Sequence, residues 1–362
     1  MILSDLTQAF QETLFPFLEK CFDGPLTPRL AQLVSVLEVL RIEDYVGSPH
    51  RFGTGRPLID RRPLARAFVA KAVYQLATTE MLIQMLKLQP ALRFVCGFSQ
   101  GGRLPSEATF SRAFSEFAAT DLGNRVLDAS VRKYVGDQIV MHASHDSTEI
   151  DAREKAKPKP KDRNKKKETE KQKRERVRSD PKRVTKQLDQ TTQEAIAELP
   201  KDCDWGAKKK PGGHTHYWQG YKAHISWADD NIPLAMITTS ASLHDSQAAI
   251  PLIRVAADRA IILYDLMDSA YDNVAISKAV ADLQHQAIID FNRRRGEEKQ
   301  MDPADAVRYQ KRSTAERGNS RFKDEFGARF VRVKGHAKVH MHLMFGLLAL
   351  FADQLLKPSV EL

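Results

Sequence analysis

Three acidic residues occupy positions where a carboxylate could do chemistry, and two of them end strand-like segments. Asp146 lies near the end of the β-branched and apolar stretch 138–148, and Asp268 directly follows the apolar run Ile261–Met267. An acid at the end of a strand can face a cleft, and carboxylate oxygens suit hard cations. Taken singly, each aspartate fits a turn or a helix cap equally well. Together the two suggest a metal site.

The third acid, Glu316, belongs to a charged helical segment. Asp302 and Pro303 are typical of a helix start and Gly327 of a helix end, which predicts about 36 Å of continuous helix. At about 100° per residue, four side chains of this segment share a sector of roughly 60°. They are Tyr309, Arg312, Glu316 and Lys323. Such a face could form a site, although Arg312 and Glu316 would also stabilise a solvent-exposed helix as an ion pair.

The elements that would position these acids fall into two regions. Up to about residue 135, apolar residues recur every three or four positions, which predicts an all-α N-terminal domain over 1–135. The pattern then predicts a strand over 138–148, a hairpin over 221–239, a helix, the strand Ile261–Met267 buried on both faces, another helix and a strand over 286–291. This order is that of a ribonuclease-H-like fold. We therefore predict an α/β domain over 136–355, with a mixed sheet flanked by helices.

A basic insertion interrupts this second domain over residues 151–213. Residues 151–190 contain 17 Lys or Arg and 8 Asp or Glu. Too few apolar residues are present to build a core, so the segment is either a charged loop or a DNA-contacting element, with Lys165, Lys166 and Lys167 as candidate contacts. Ser179, Asp180 and Pro181 predict the start of a helix that runs to residue 199.

The composition of the whole chain favours a polyanionic partner and a reducing compartment. Lys and Arg outnumber Asp and Glu by 56 to 46, for a net charge of +10, which points to nucleic acid. Three widely separated cysteines exclude a disulfide framework and a Cys-x2-Cys zinc site. The N-terminus has no export signal, and the longest apolar tract is too short for a bilayer. We expect a cytoplasmic protein with no membrane partner.

The spacing Tyr309-x2-Arg312-x3-Glu316-x6-Lys323 matches a family signature at every interval. In this respect the chain resembles the bacterial insertion-sequence transposases, which have an Asp-Asp-Glu triad in a ribonuclease-H-like fold. Further stretches resemble the same family: Asp146-Ser147-Thr148, Asp268-x2-Tyr271-Asp272, Gly220-Tyr221-Lys222-Ala223-His224 and His244-Asp245-Ser246. Residues 64–114 resemble the helical domain often joined to this catalytic core. Ser147 replaces a common glycine, and only 48 residues separate Asp268 from Glu316, so the β-rich insertion of some relatives is absent.

The resemblance implies a function and a role for each motif residue. Asp146, Asp268 and Glu316 would hold two Mg2+ or Mn2+ ions for cleavage at the element's ends and strand transfer into target DNA. Tyr309, Arg312 and Lys323 would grip phosphates of the terminal strand. Arg112, in a predicted helix over 106–119, is a candidate for recognising terminal inverted repeats, although ordinary helix packing explains that helix equally well.

The same resemblance implies partners for the protein, and two alternative functions remain to be weighed. The partners would be terminal-repeat and target DNA, and joining two ends implies at least a homodimer on DNA, associated with the bacterial nucleoid. Two alternatives stay open from sequence. One is a non-catalytic DNA-binding derivative of a transposase, which would not need three converging carboxylates. The other is a ribonuclease-H-like nuclease that cuts without joining.

Overall fold

A computed structural model describes residues 26–47, 59–158, 183–209, 213–292 and 300–357. These residues group into two units. The first unit comprises the described residues among 1–130, 320–332 and 337–362, and the second those among 131–319 and 333–336. No helix in the described ranges is long and apolar enough to cross a membrane.

The described elements alternate between helices and strands after residue 138. The helices are α1 Pro28–Leu40, α2 Arg62–Val73, α3 Thr79–Leu88, α4 Pro90–Val95, α5 Glu107–Ala119, α6 Leu122–Tyr134, α7 Arg183–Lys186, α8 Thr192–Ala197, α9 Ser246–Ala257, α10 Val274–Asp282, α11 Pro303–Tyr309, α12 Ser313–Glu325 and α13 His336–Leu355. The strands are β1 Ile139–Ala152, β2 Asp204–Lys209, β3 Thr215–Trp227, β4 Pro233–Ser240, β5 Ile261–Met267, β6 Gln286–Ile289 and β7 Phe330–Val331.

Aromatic packing forms much of the core of the first unit. The ring of Phe68 on α2 lies 4.9 to 6.3 Å, centroid to centroid, from Phe110, Phe114 and Phe117 on α5 and from Phe345 on α13. The three α5 rings recur at helical spacing, so one apolar face of α5 is buried. The predicted helical character of this region is confirmed, and α13 joins it from the other end of the chain.

A mixed sheet forms the second unit, in the order β4-β3-β1-β5-β6. β3 is antiparallel to both of its neighbours, whereas β1, β5 and β6 run parallel. Helices α9 and α10 pack an apolar cluster against this sheet around Ile250, Ile253, Ile276 and Val280. This is the mixed sheet flanked by helices that the strand order predicts for a ribonuclease-H-like domain.

In the basic insertion, one strand was not predicted and one helix prediction is wrong. Within 151–213 the chain adds a strand, β2, which pairs with the first half of β3 and extends the sheet. The predicted continuous helix up to residue 199 is broken into α7 and α8, because the Thr191 hydroxyl and the Glu194 carboxylate form a capping box that starts a new helix. Residues 179–182, where that helix was expected to begin, lie outside the described residues.

Two further predictions need correction. β5 is not buried on both faces, because Ile261 and Leu263 in its first half are 54% and 38% exposed. The predicted continuous helix of 302–326 contains a 3-10 turn at Gln310–Arg312 between α11 and α12. Asp302 does cap its start, since its carboxylate accepts a hydrogen bond from the Ala304 N–H at 2.8 Å.

Candidate active site

Asp146 and Asp268 lie at corresponding positions on two parallel strands. β1 and β5 pair with Ser144 opposite Leu266, and each aspartate comes two residues after its member of that pair. Asp268 has already left β5, and its carboxylate accepts a hydrogen bond from the Ala270 N–H at 2.9 Å, which caps a short 3-10 turn. The parallel register therefore brings the first two predicted acids together just beyond the segment in which β1 pairs with β5. Contrary to the sequence prediction, Asp146 does not end its strand, because β1 continues to Ala152 by pairing with β3.

Burial and like charge oppose the ionisation of both carboxyls. Burial raises the pKa of Asp146 to about 6, while the Arg312 guanidinium opposes this shift and the Asp268 charge adds to it. Burial also raises the pKa of Asp268, and Asp245 contributes in the same direction. The two acids thus form a site of incompletely compensated negative charge, which a cation would stabilise.

Arg312 supplies the positive charge nearest to the predicted triad. Its Nη2 lies 2.8 Å from the Glu316 Oε1, and the Glu316 side chain is 63% exposed. The same guanidinium interacts electrostatically with Asp146 and Asp268 and lies over the Tyr309 ring, 5.9 Å from its centroid. Burial raises the pKa of Tyr309 to about 12, so the phenol stays protonated at neutral pH. Arg312 and Tyr309 therefore approach the aspartates, whereas Glu316 is paired with Arg312 and lies apart from them.

Asn319, which sequence reasoning did not select, contacts Asp146 directly. Its Nδ2 donates to the Asp146 Oδ2 at 3.0 Å, and its Oδ1 accepts from the Trp227 Nε1 at 3.3 Å. The side chain is buried, at 5% exposure. The only sequence signal for it is a polar residue one helical turn beyond Glu316.

A fourth carboxylate, that of Asp245, lies beside the site, but its negative charge is already balanced by Lys222. The Lys222 Nζ donates to the Asp245 Oδ1 at 2.9 Å and to the Leu243 carbonyl at 2.8 Å. The Ser147 side chain also hydrogen-bonds to Asp245. Lys222 and Asp245 belong to two of the motifs that resemble the transposase family, and the structure shows that these motifs contact one another.

A buried network of hydrogen bonds on the opposite face of β1 joins β1, β5 and the turn before β6. The His145 Nε2 lies 2.7 Å from the Asp265 Oδ1, and the His285 Nδ1 lies 2.8 Å from the Asp265 Oδ2. These residues belong to β1, to β5 and to the turn before β6. Because His145 and Asp265 are fully buried, these hydrogen bonds fix the segments that carry Asp146 and Asp268.

Two family models match this chain. Residues 141–352, more than half of the chain, match the model described as the transposase DDE domain. The chain belongs to that transposase family. Residues 20–116 match a second transposase domain, described as DUF772. No curated protein and no solved structure gives a significant match.

The side chains at the site of this transposase are chemically suited to bind a divalent cation. Asp146 and Asp268 offer hard oxygen ligands whose charges are incompletely compensated. The Tyr271 hydroxyl is buried beside them and finds no hydrogen-bond partner among the described residues. Within the same described ranges, however, no three acidic, His or Cys side chains stand close enough to hold a metal ion together. Glu316 would join the aspartates after releasing Arg312.

Two of the remaining predicted DNA contacts belong to the first unit. Lys323 is half-buried in the last turn of α12 and groups with the first unit. Arg112 on α5 lines a cleft of about 750 Å3 together with Arg103 and Arg61, and Arg61 is paired with Glu116 at 2.9 Å. Lys165, Lys166 and Lys167 lie outside the described residues.

Proposed function

We propose that this transposase cuts DNA at the ends of an insertion sequence and joins those ends to target DNA, using two Mg2+ or Mn2+ ions. Asp146, Asp268 and Glu316 would hold the ions. The observation that carries the proposal is the pair of aspartates that follow the parallel pairing of β1 with β5, whose charges the protein compensates only in part. A purely DNA-binding protein would gain nothing from this arrangement.

The sheet and the helix contribute differently to the proposed site. Asp146 lies on a hydrogen-bonded strand and Asp268 caps the turn that follows the neighbouring strand, so their carboxylates are pre-positioned. Glu316 comes from α12 and is exposed, so it can turn from Arg312 toward the aspartates. When bound, the two ions would polarise the attacked phosphate and activate water or a DNA 3′-hydroxyl.

Arg312 and Tyr309 would hold the phosphate. A DNA phosphate next to the acids would compete with Glu316 for the Arg312 guanidinium, which can bind two phosphate oxygens through its fork. Tyr309 keeps its proton at neutral pH because its pKa is about 12, so its hydroxyl can donate to the same phosphate. Lys323 would add a point charge further along the backbone.

DNA recognition would involve both proposed domains, the helical domain over 1–135 and the catalytic domain over 136–355. In the first, the cleft of Arg61, Arg103 and Arg112 suits the phosphate backbone of the terminal repeats. In the second, the basic insertion with Lys165, Lys166 and Lys167 would add further contacts. A homodimer would bring two ends together, in the bacterial cytoplasm and on the nucleoid.

The test is a cleavage and joining assay on DNA that carries the ends flanking this gene, together with a target plasmid. We expect the wild-type protein to cut the ends and to form covalent donor-target products only with Mg2+ or Mn2+. Asp268→Asn and Glu316→Gln should each lower cleavage at least about a thousandfold, because charge stabilisation at phosphorus is lost. Asp258→Asn, which alters an exposed acid in the same unit, is the matched control and should cleave normally.

Three other results would contradict the proposal in distinct ways. Specific binding without cutting or joining by the wild-type protein would favour the DNA-binding alternative. Cutting without donor-target products would favour a nuclease that does not join. Full activity of Asp268→Asn or Glu316→Gln would exclude that residue from the site.

A further inference from the structure

We propose that Asn319 is a positioning residue that fixes the Asp146 carboxylate and ties it to the helix that carries Glu316. The inference rests on the proposed function, because it gives Asn319 a role in preparing Asp146 for a cation. It concerns a residue outside the four-residue signature of the helix and outside the Asp-Asp-Glu triad. The case depends on the hydrogen bonds and packing of Asn319 alone.

The hydrogen bonds of Asn319 determine the orientation of its amide. The Trp227 Nε1 can only donate, so the amide oxygen of Asn319 must face the indole, 3.3 Å away. The amide nitrogen is then directed at the Asp146 Oδ2, 3.0 Å away. Because both ends of the amide are used in a buried position, rotation of the Asp146 carboxylate would break a hydrogen bond that water cannot replace.

Close packing holds Asn319 in place. A Cβ added to Gly318 would lie 2.7 Å from the Trp227 ring, so the α12 backbone lies directly on the indole. Ala315 on the same helix is fully buried, and so is Trp227. Trp227 pairs across the sheet with Ser144, two residues before Asp146. The indole therefore sets the distance between α12 and β1, the strand that carries Asp146.

An asparagine is the suitable residue at this point because it donates without adding charge. An aspartate here would present an acceptor to Asp146 and increase the negative charge of a site in which Asp146 and Asp268 already repel each other. Asn319 also lies one helical turn beyond Glu316. The same turn of α12 thus fixes the first acid and presents the third.

The experiment measures Mn2+ binding to the full-length, DNA-free protein by electron paramagnetic resonance, with thermal unfolding recorded for every variant. Asn319→Ala should raise the Kd for Mn2+ by about tenfold, the usual effect of losing a residue that orients a metal ligand. Trp227→Phe keeps an aromatic ring under Gly318 but removes the donor to Asn319 and part of the ring volume, while the Asn319 amide still donates to Asp146, so its Kd should rise by a smaller factor. Asp146→Asn should abolish binding at the site.

Gln187→Ala is the matched control. Gln187 is also fully buried in the second unit, and its amide donates to the Gln247 carbonyl at 2.8 Å, away from the acids. It should lower the unfolding temperature without changing the Kd. If Asn319→Ala and Trp227→Phe bind Mn2+ like the wild-type protein while Asp146→Asn does not, the role of Asn319 is overturned and the metal site stands. If Asp146→Asn binds like the wild-type protein, the proposed metal site itself fails.

Discussion

Asp146 should make the stability of the metal-free protein depend on pH. Its folded-state pKa of about 6 lies above the ordinary value, so the folded protein holds the proton more tightly than the unfolded chain does. The contribution of Asp146 to the free energy of unfolding should therefore be largest below pH about 4 and should fall by about 3 kcal/mol as the pH rises through about 6. Denaturant unfolding in EDTA measures this loss.

Asp146→Asn is the comparison that isolates this effect. An amide does not titrate, so the free energy of unfolding of the wild-type protein, measured relative to that of the variant, should fall by about 3 kcal/mol between pH 4 and pH values above 6. Parallel curves for the two proteins across this range would show that Asp146 is not held in an environment that raises its pKa.

The Lys222 and Asp245 pair should be strongly coupled in stability. Their side chains are only 13% and 25% exposed, so removing one partner leaves a poorly solvated charge. We expect Lys222→Met to cost about 3 kcal/mol of unfolding free energy, and the double variant with Asp245→Asn to regain most of it. A double-mutant cycle measures the coupling, and strictly additive losses would contradict it.

At the scale of single residues, the sequence identified the acids but not the groups that hold them. Asp146 and Asp268 could be predicted because each follows a run of strand-forming residues, and Arg312 because it shares a helical face with Glu316, although Asp146 lies within β1 and not at its end. Asn319 could not be predicted, since its partner Trp227 is 92 residues away along the chain. The assignment of catalytic and DNA-binding roles to the individual residues stays a prediction.

At the scale of elements, the contact of α12 with β3 should be sensitive to the volume of the side chain at position 318. Gly318→Ala places a methyl group against the Trp227 ring, where a Cβ would lie 2.7 Å from ring atoms. We expect α12 to be displaced at a cost of about 1 to 3 kcal/mol. Denaturant unfolding tests this, with Gly101→Ala as the control, because a Cβ at Gly101 meets nothing within 4 Å. Equal stability of the two variants would contradict the close approach.

The elements that could be predicted are those with strong local patterns. β5 has an apolar run that only Asp265 interrupts, and the β3–β4 hairpin has a polar turn, so both appear where expected. β2 was missed because Asp204–Lys209 is polar and lies within a segment whose basic composition predicts a loop. Its strand character comes from pairing with β3, which a local pattern does not contain.

At the scale of the whole molecule, the excess of basic residues should govern DNA affinity. If six phosphates are neutralised, log Kd should change with log salt concentration with a slope of about 5 in magnitude. Deleting residues 155–178 should weaken DNA binding and reduce that slope while leaving the unfolding temperature unchanged. Fluorescence anisotropy across a salt series measures both. An unchanged slope would indicate that the segment is only a charged loop.

The central claim is that Asp146, Asp268 and Glu316 act on DNA through bound metal ions. The most direct test replaces one oxygen ligand with sulfur and compares two metals on the same end-containing DNA. Asp268→Cys should lose cleavage in Mg2+ and regain part of it in Mn2+, which accepts a thiolate more readily, while Asp268→Ala stays inactive in both. Cleavage by Asp268→Ala at the wild-type rate in Mg2+ would contradict the account.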